Sequence, residues 1–330
     1  MAQLRAAHRK FPEHAPLAAA LAKVLGGSGE IDAALATIAP WREEPWAARV
    51  ALTLLTHHRR FDEAAQHEDL VAAAHPADAA LLESRARRFR AEPEAMLRLC
   101  EAALAHDPGA THALYYKAIA LAQLGRTREA VELMAIDRFV AIVRLPSPVG
   151  FADVAARHAA VRAEILANPT LRRDIAGHAT RNGLRTGKFP LSGDAASIAL
   201  VRAIEHAIAR YADGLRGDHP FVAARPARAS FTAWALVFRE AGHQVPHHHP
   251  EPWMTGVYYV AAPEGRPRPG ALRIGVFPDW AGVPPPWPVQ TVEPEPGTLV
   301  LFPSFVPHDT VPTGTAGERI SIAFDVAGAG

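Results

Sequence analysis

Cysteine is almost absent from the chain: Cys100 stands alone among 330 residues. A single thiol excludes an internal disulfide and any thiolate cluster for zinc or iron–sulfur. An excess of charge is missing as well, since 35 Lys and Arg face 34 Asp and Glu, for a formal net charge of +1. No basic stripe or aromatic-interleaved patch points to nucleic acid as a partner. No apolar run approaches the roughly 20 residues of a membrane-crossing helix. The opening MAQLRAAHRKF lacks the apolar core of a secretory signal. The expectation is a cytoplasmic chain with no membrane and no nucleic-acid partner.

What is present is ordinary globular composition, 49% hydrophobic, in a length that predicts more than one domain. Residues 1–137 are rich in Ala and Leu at helical spacing, without a convincing strand. They also repeat. An acidic residue followed by Ala recurs at Asp32, Glu63, Glu94 and Glu129, at intervals of 31, 31 and 35 residues. The last unit, ALYYKAIALAQLGRTREAVELM, resembles a tetratricopeptide repeat, and periods of about 34 residues fit helix–turn–helix solenoids. Such an array is expected either to cover one side of the following domain or to present a surface to a protein or peptide partner. The histidines scattered through it have no ligand spacing.

Residues 138–228 read as a connection with its own helices. RLPSPVG marks its start with two prolines and a glycine. FADVAARHAAVRAEILAN is helical in pattern, and Asn168-Pro169 is expected to end it. Ser192-Gly193-Asp194 precedes a long amphipathic run with Ile198, Val201, Ile204, Ile208 and Tyr211 on one side.

From residue 229 to 330 the pattern turns to short strands: FTAWALVF, TGVYYVAA, ALRIGVF, GTLVLF and RISIAFDV, separated by turns such as EGRPRPG and AGVPPPWP. Such spacing predicts a sandwich or barrel. In the last strand Arg319, Ser321, Ala323 and Asp325 share one face and Ile320, Ile322, Phe324 and Val326 the other. The polar face is expected to line a site and the apolar face to pack against the preceding helices.

The chemistry concentrates in PHHHPEPWMTGVYYV, Pro246 to Val260. In an extended chain residues i and i+2 share a face, so His247 and His249 can hold one metal ion from the same side while His248 points away. Imidazole is the commonest protein ligand for a transition metal. Two later pieces answer this stretch: His308 in FPSFVPHDT, and Arg319 with Ser321 in ERISIAFDV.

This ordered set resembles the Fe(II)- and 2-oxoglutarate-dependent oxygenases, and among them bacterial members with helical repeats before the oxygenase domain. The resemblance is strongest from Ala229 to Val326 and weaker in the repeats and in NGLRTG, Asn182 to Gly187. It implies an α+β multidomain architecture: a TPR-like helical solenoid over 1–137, flanking helices over 138–228, and a double-stranded β-helix (jelly-roll, cupin-like) over 229–330. It implies Fe(II) as cofactor, 2-oxoglutarate and O2 as cosubstrates, and hydroxylation of an amino-acid, peptide or protein substrate with release of succinate and CO2.

His247 and His308 are then expected as metal ligands. The wider superfamily carries Asp or Glu where this chain has His249, so the third ligand stays open between His249, Glu251 and water; the prolines on either side of Glu251 disfavour a regular strand through it. Arg319 suits the far carboxylate of 2-oxoglutarate, because its planar fork matches a carboxylate with two parallel hydrogen bonds. Ser321 lies on the same face, and resemblance to prolyl-hydroxylase-type members implies a third donor in Tyr259. A surface ion pair with Asp325 or Glu318 is the other reading of Arg319. Trp234 and Trp253 are candidates for the substrate mouth. Two other functions remain possible: a non-catalytic repeat protein with a vestigial cupin domain, and a three-histidine cupin dioxygenase that does not use 2-oxoglutarate. An intact Arg319–Ser321 pair argues against the latter.

Overall fold

The protein is described from a computed structural model, covering residues 1–145, 151–173, 178–187, 189–190, 195–265, 269–314 and 317–329. The turn signals at 146–150, 192–194 and 266–268 lie outside the described residues. The chain divides into two compact units, Met1–Tyr116 and Lys117–Gly330.

Among the described residues of the first unit every regular element is helical. The longer helices are Ala2–Lys10, Ala15–Gly27, Ile31–Ile38, Pro45–His57, Ala79–Arg88 and Pro93–His106. The helices from Ala15–Gly27 to Ala79–Arg88, with the short helix Glu68–Ala74 between them, share a core that includes Leu21, Leu25, Ile31, Ile38, Leu52, Leu55, Val71 and Leu81. Small residues set the spacing. A Cβ added to Gly26 would meet Leu54 Cδ2 at 2.2 Å, so Gly26 lets the second of these helices approach the helix Pro45–His57. The recurring acidic residues share a position: Asp32, Glu63 and Glu94 each fall in the first turn of a helix, where a negative charge complements the helix dipole. In the second unit Glu129 does the same in the helix Thr127–Met134.

The second unit is an antiparallel sandwich flanked by helices. Its strands are β1 (Ala141–Arg144), β2 (Arg172–Arg173), β3 (Thr180–Arg185), β4 (Ala229–Gln244), β5 (Met254–Ala261), β6 (Leu272–Ile274), β7 (Gln290–Val292), β8 (Thr298–Pro303), β9 (His308–Thr310) and β10 (Arg319–Gly328). Seven form a sheet in the order β1-β8-β5-β10-β4-β3-β2, and three form a second sheet in the order β7-β6-β9.

Residues 138–228 were expected to supply helices, and they do: Val154–Ala167 and Ala195–Gly214. Asp153 caps the first, accepting from the Ala156 amide at 2.7 Å, and Asn168 closes it. The segment also contributes β1, β2 and β3 to the large sheet. These strands are short, four, two and six residues, too brief for a periodicity reading to find. In β3 the register against β4 shifts between Arg181 and Gly183. Asn182 takes the left-handed conformation at this irregularity, with φ of 53°. Gly183 then sits against the Phe238 ring, where a Cβ would come within 2.5 Å.

The central strand β10 pairs with β4 on one side and β5 on the other, and its alternation is the one expected. Ile320, Ile322 and Phe324 are fully buried on the face away from the cavity. On that outer face Tyr258 receives the helix Val154–Ala167: its hydroxyl lies 2.8 Å from His158 Nε2 and accepts from Arg157 Nη2 at 3.1 Å. The inner face carries Arg319, Ser321, Ala323 and Asp325 opposite Phe238, Leu236, Trp234 and Thr232 of β4.

Candidate metal centre

The turn after β4 lays His247 against β9. The His247 amide donates to the His308 carbonyl at 3.0 Å, and the His308 amide donates back at 2.8 Å. This reciprocal pair makes the two residues direct antiparallel partners, whose side chains leave the sheet on the same face. Two residues on, the His249 amide donates to the Ser304 carbonyl at 2.9 Å, which keeps the segment extended and returns His249 to the face of His247. The ring centroids of His247 and His308 are 4.2 Å apart, and His249 lies 5.3 Å from each. One ring nitrogen from each of the three lies within 4.8 Å of the others.

Each ring is held by its Nδ1. That atom lies 2.9 Å from the Val245 carbonyl in His247, 3.1 Å from the Val306 carbonyl in His308, and 2.5 Å from Asp325 Oδ1 in His249. These oxygens accept, so each Nδ1 is the donor, and in a neutral ring Nε2 is then the nitrogen that carries the lone pair. A carboxylate or carbonyl behind a ligating histidine fixes ring orientation and raises donor strength. Burial pushes the His308 pKa well below its ordinary value, with His247 and His249 adding to the effect. Part of His247 faces the cavity, yet its ring lies deep enough that burial, then His249, lowers its pKa to about 3. Neutral imidazole is the form that coordinates a cation. Trp234 stacks on His249 with ring centroids 6.0 Å apart, and Phe302 meets His308 edge-on at 4.8 Å.

The cavity that holds the three rings extends to Arg319 and is also lined by Trp234, Leu236, Leu272 and Phe302. Arg319 is 1% exposed, its guanidinium over Phe238 on one side and Tyr259 on the other. Its Nε and Nη1, the Tyr259 hydroxyl and the Ser321 hydroxyl are buried with no hydrogen-bond partner among the described residues. Register explains the grouping, because Ser321 faces Tyr259 across β5 and Arg319 is two residues before it on the same strand. Burial lowers the Arg319 pKa and raises that of Tyr259. Buried polar groups are normally paired, so four orphan atoms in one cluster describe a place for an anion with several acceptor oxygens. Gly270, with φ of 81°, closes over Arg319; a Cβ there would lie 3.0 Å from its Cδ.

Of the residues singled out in the sequence, His247, His249 and His308 come together, and Arg319, Ser321 and Tyr259 form a second group. Glu251 is exposed and stands outside the histidine group. The ion pairs proposed for Arg319 do not form: Glu318 engages Arg162 and Arg239, and Asp325 is turned to His249. Trp234 does line the cavity. Trp253 instead is core: it stacks on Phe221 with centroids 4.8 Å apart and donates its indole N–H to the Phe221 carbonyl. Two neighbours escaped sequence reasoning. Asp325 had a signal, its place on the polar face of β10. Arg185 had none beyond its membership of NGLRTG.

Residues 232–325 match the family described as "Putative 2OG-Fe(II) oxygenase", the family that the ordered motifs resemble. The matched stretch contains all six grouped residues and Asp325. No curated protein matches the chain. Among solved structures, a prolyl-4-hydroxylase of Pseudomonas putida is 18% identical over 59% of this chain and 96% of its own, with a TM-score of 0.43. A prolyl hydroxylase of Trichoplax adhaerens, in complex with a hypoxia inducible factor oxygen degradation domain peptide fragment, is 13% identical over 62% and 92%, with a TM-score of 0.44. An oxidoreductase of the 2OG-Fe(II) oxygenase family from Burkholderia pseudomallei is 14% identical over 61% and 90%, with a TM-score of 0.39.

Proposed function

We propose that this protein is an Fe(II)- and 2-oxoglutarate-dependent dioxygenase that hydroxylates an amino-acid, peptide or protein substrate, releasing succinate and CO2. One observation carries the reading: a cluster of three imidazoles shares its cavity with a buried arginine, two of whose donors have no partner among the described residues. His247, His249 and His308 would hold the metal through Nε2. Arg319, Tyr259 and Ser321 would bind the far carboxylate of 2-oxoglutarate, and the orphan atoms of that cradle fit an acceptor-only group of this kind. Bound iron would supply activation of O2 coupled to decarboxylation of the oxo acid. The chain's own part is to leave coordination positions free, to orient the cosubstrate, and to wall the cavity with Trp234, Leu236 and Phe302.

Glu251 is too exposed to favour as third ligand, so this reading takes a three-histidine site, with Asp325 supplying the negative charge one bond further out. That feature also favours a second reading, a three-histidine dioxygenase independent of 2-oxoglutarate. Anaerobic titration of the purified protein with Fe(II) and then 2-oxoglutarate decides between them. The weak visible band of an iron–oxo-acid chelate supports the first reading. Iron binding without 2-oxoglutarate binding supports the second.

We further read residues 1–137 as a TPR-like solenoid offering a surface to a peptide or protein partner, 138–228 as elements that flank the catalytic domain, and 229–330 as its double-stranded β-helix. The shared first-turn position of Asp32, Glu63, Glu94 and Glu129 supports the repeat. No helix among the described residues is long and apolar enough to cross a membrane, and a cytoplasmic setting is proposed on the sequence alone.

A further inference from the structure

Arg185 is a second arginine beside the cavity. It pairs in register with Leu236 of β4, which in turn pairs with Ser321 of β10, so its side chain rises on the inner face of the large sheet. Its guanidinium lies over the Trp234 ring, 4.5 Å from the centroid, and the same ring stacks on His249. Arg319, two steps along the same face, is fully buried, whereas Arg185 is half-buried. The polar contacts of Arg185 are to the His178 ring, at 2.8 and 3.1 Å from Nη1. A histidine in that position offers at most one lone pair and no negative charge.

Arg185 has no carboxylate within ion-pair distance among the described residues. Asp325 acts on it only through space, and burial lowers its pKa; Asp325 is already committed to His249. A planar cation, fixed by an aromatic ring and without a carboxylate partner among the described residues, is prepared for a carboxylate. The 2-oxoglutarate cradle does not account for it, because Arg319, Tyr259 and Ser321 already supply donors for one carboxylate.

We propose that Arg185, braced on Trp234, anchors a carboxylate of the substrate beside the metal site, so that the substrate is a carboxylic acid: a free amino acid through its α-carboxylate, or a peptide through an acidic side chain. The inference rests on the reading of the cavity as a 2-oxoglutarate-dependent oxygenase site and supplies its substrate class. Trp234 gives the anchor a fixed distance from His249, so the carboxylate would place the carbon to be oxidised.

The test uses the full chain loaded anaerobically with Fe(II) and 2-oxoglutarate. Two probe sets are titrated by calorimetry: the free L-amino acids against their α-amides, and N-acetylated, C-amidated tripeptides with Glu or Asp against the same tripeptides with Gln or Asn. Succinate release in air is followed in parallel. The expected result is binding in one set by the acid forms, with neutral counterparts weaker by about tenfold or more. The set that binds identifies the source of the carboxylate. Arg185→Gln is expected to lose the same factor toward the acid and to leave iron and 2-oxoglutarate affinities within about twofold. Arg185→Lys, which keeps charge but not the fork, should fall between and controls for folding. Acid and neutral probes of equal affinity, an unaffected Arg185→Gln, or failure of every acid to bind protein that does bind 2-oxoglutarate would overturn the proposal. Loss of 2-oxoglutarate affinity in Arg185→Gln would also overturn it, by moving Arg185 into the cosubstrate cradle. Failure of the parent to bind 2-oxoglutarate at all is a different result, which strikes the proposed function.

Discussion

Asp325 Oδ1 accepts a hydrogen bond from His249 Nδ1 at 2.5 Å. The partners come from β10 and from the turn after β4, 76 residues apart. A three-histidine site lacks the negative charge that a carboxylate ligand would give. Here the carboxylate stands behind the imidazole instead, where it polarises the ring and fixes which nitrogen faces the cavity. Asp325→Asn is therefore expected to lower Fe(II) affinity by about 10–100-fold while the fold persists. Metal titration of parent and variant measures it, and an unchanged affinity would reduce the contact to packing.

The identity of the third ligand is tested by ranking. His249→Ala should lose most of its iron, because it removes one of the three grouped imidazoles, and Glu251→Ala should keep its iron, because Glu251 is exposed. His249→Asp restores a carboxylate on the same face and is expected to retain more metal than His249→Ala. Iron content after desalting is the measurement, and the reverse ranking of the two alanine variants would return the role to Glu251.

Arg319→Ala should separate cosubstrate from metal. An unpaired charged hydrogen bond costs roughly 1.5–3 kcal/mol, so 2-oxoglutarate affinity is expected to fall by about one to two orders of magnitude. Iron binding should barely change, since Arg319 is not among the grouped histidines. Calorimetric titration reads both constants, and equal oxo-acid affinity in parent and variant would remove Arg319 from the cradle.

A pH effect on stability follows from His158, which is 8% exposed beneath Tyr258. Burial, with Arg157 beside it, lowers its pKa to about 4, against roughly 6.5 in the unfolded chain. Between those values the unfolded state binds the proton and the folded state does not, so stability rises with pH. The contribution is complete above about pH 6.5 and is lost as pH falls toward 4. Replacing His158 by Gln should flatten the decline in denaturant midpoint between pH 7 and 4. A variant with the parent's full pH dependence would place the titrating group elsewhere.

Gly256 tests the sheet centre. It lies in β5 between β10 and β8, and a Cβ there would lie 2.5 Å from both the Phe324 ring and the Val300 carbonyl oxygen. A backbone oxygen in a paired strand cannot step aside. Gly256→Ala should destabilise the second unit by about 1–3 kcal/mol, seen as a lower unfolding midpoint, and a parent-like midpoint would show that the strands can separate.

Much of this was legible in the chain because it is local or periodic. The change from helical to strand patterning near residue 229, the two faces of β10 and the shared face of His247 and His249 all follow from backbone geometry applied to a linear pattern. The convergence of Arg319, Ser321 and Tyr259 was available from the resemblance, and the distant His308 from the order of motifs. Other relationships depended on register between strands far apart in sequence. Nothing in the pattern says that Asp325 turns to His249 rather than Arg319, or that Trp253 is core while Trp234 lines the cavity. The addition of β1, β2 and β3 to the large sheet was equally hidden. A one-residue slip would reverse every one of these facings, and strand register is settled by which side chains pack together across the sheet, a property of the folded whole.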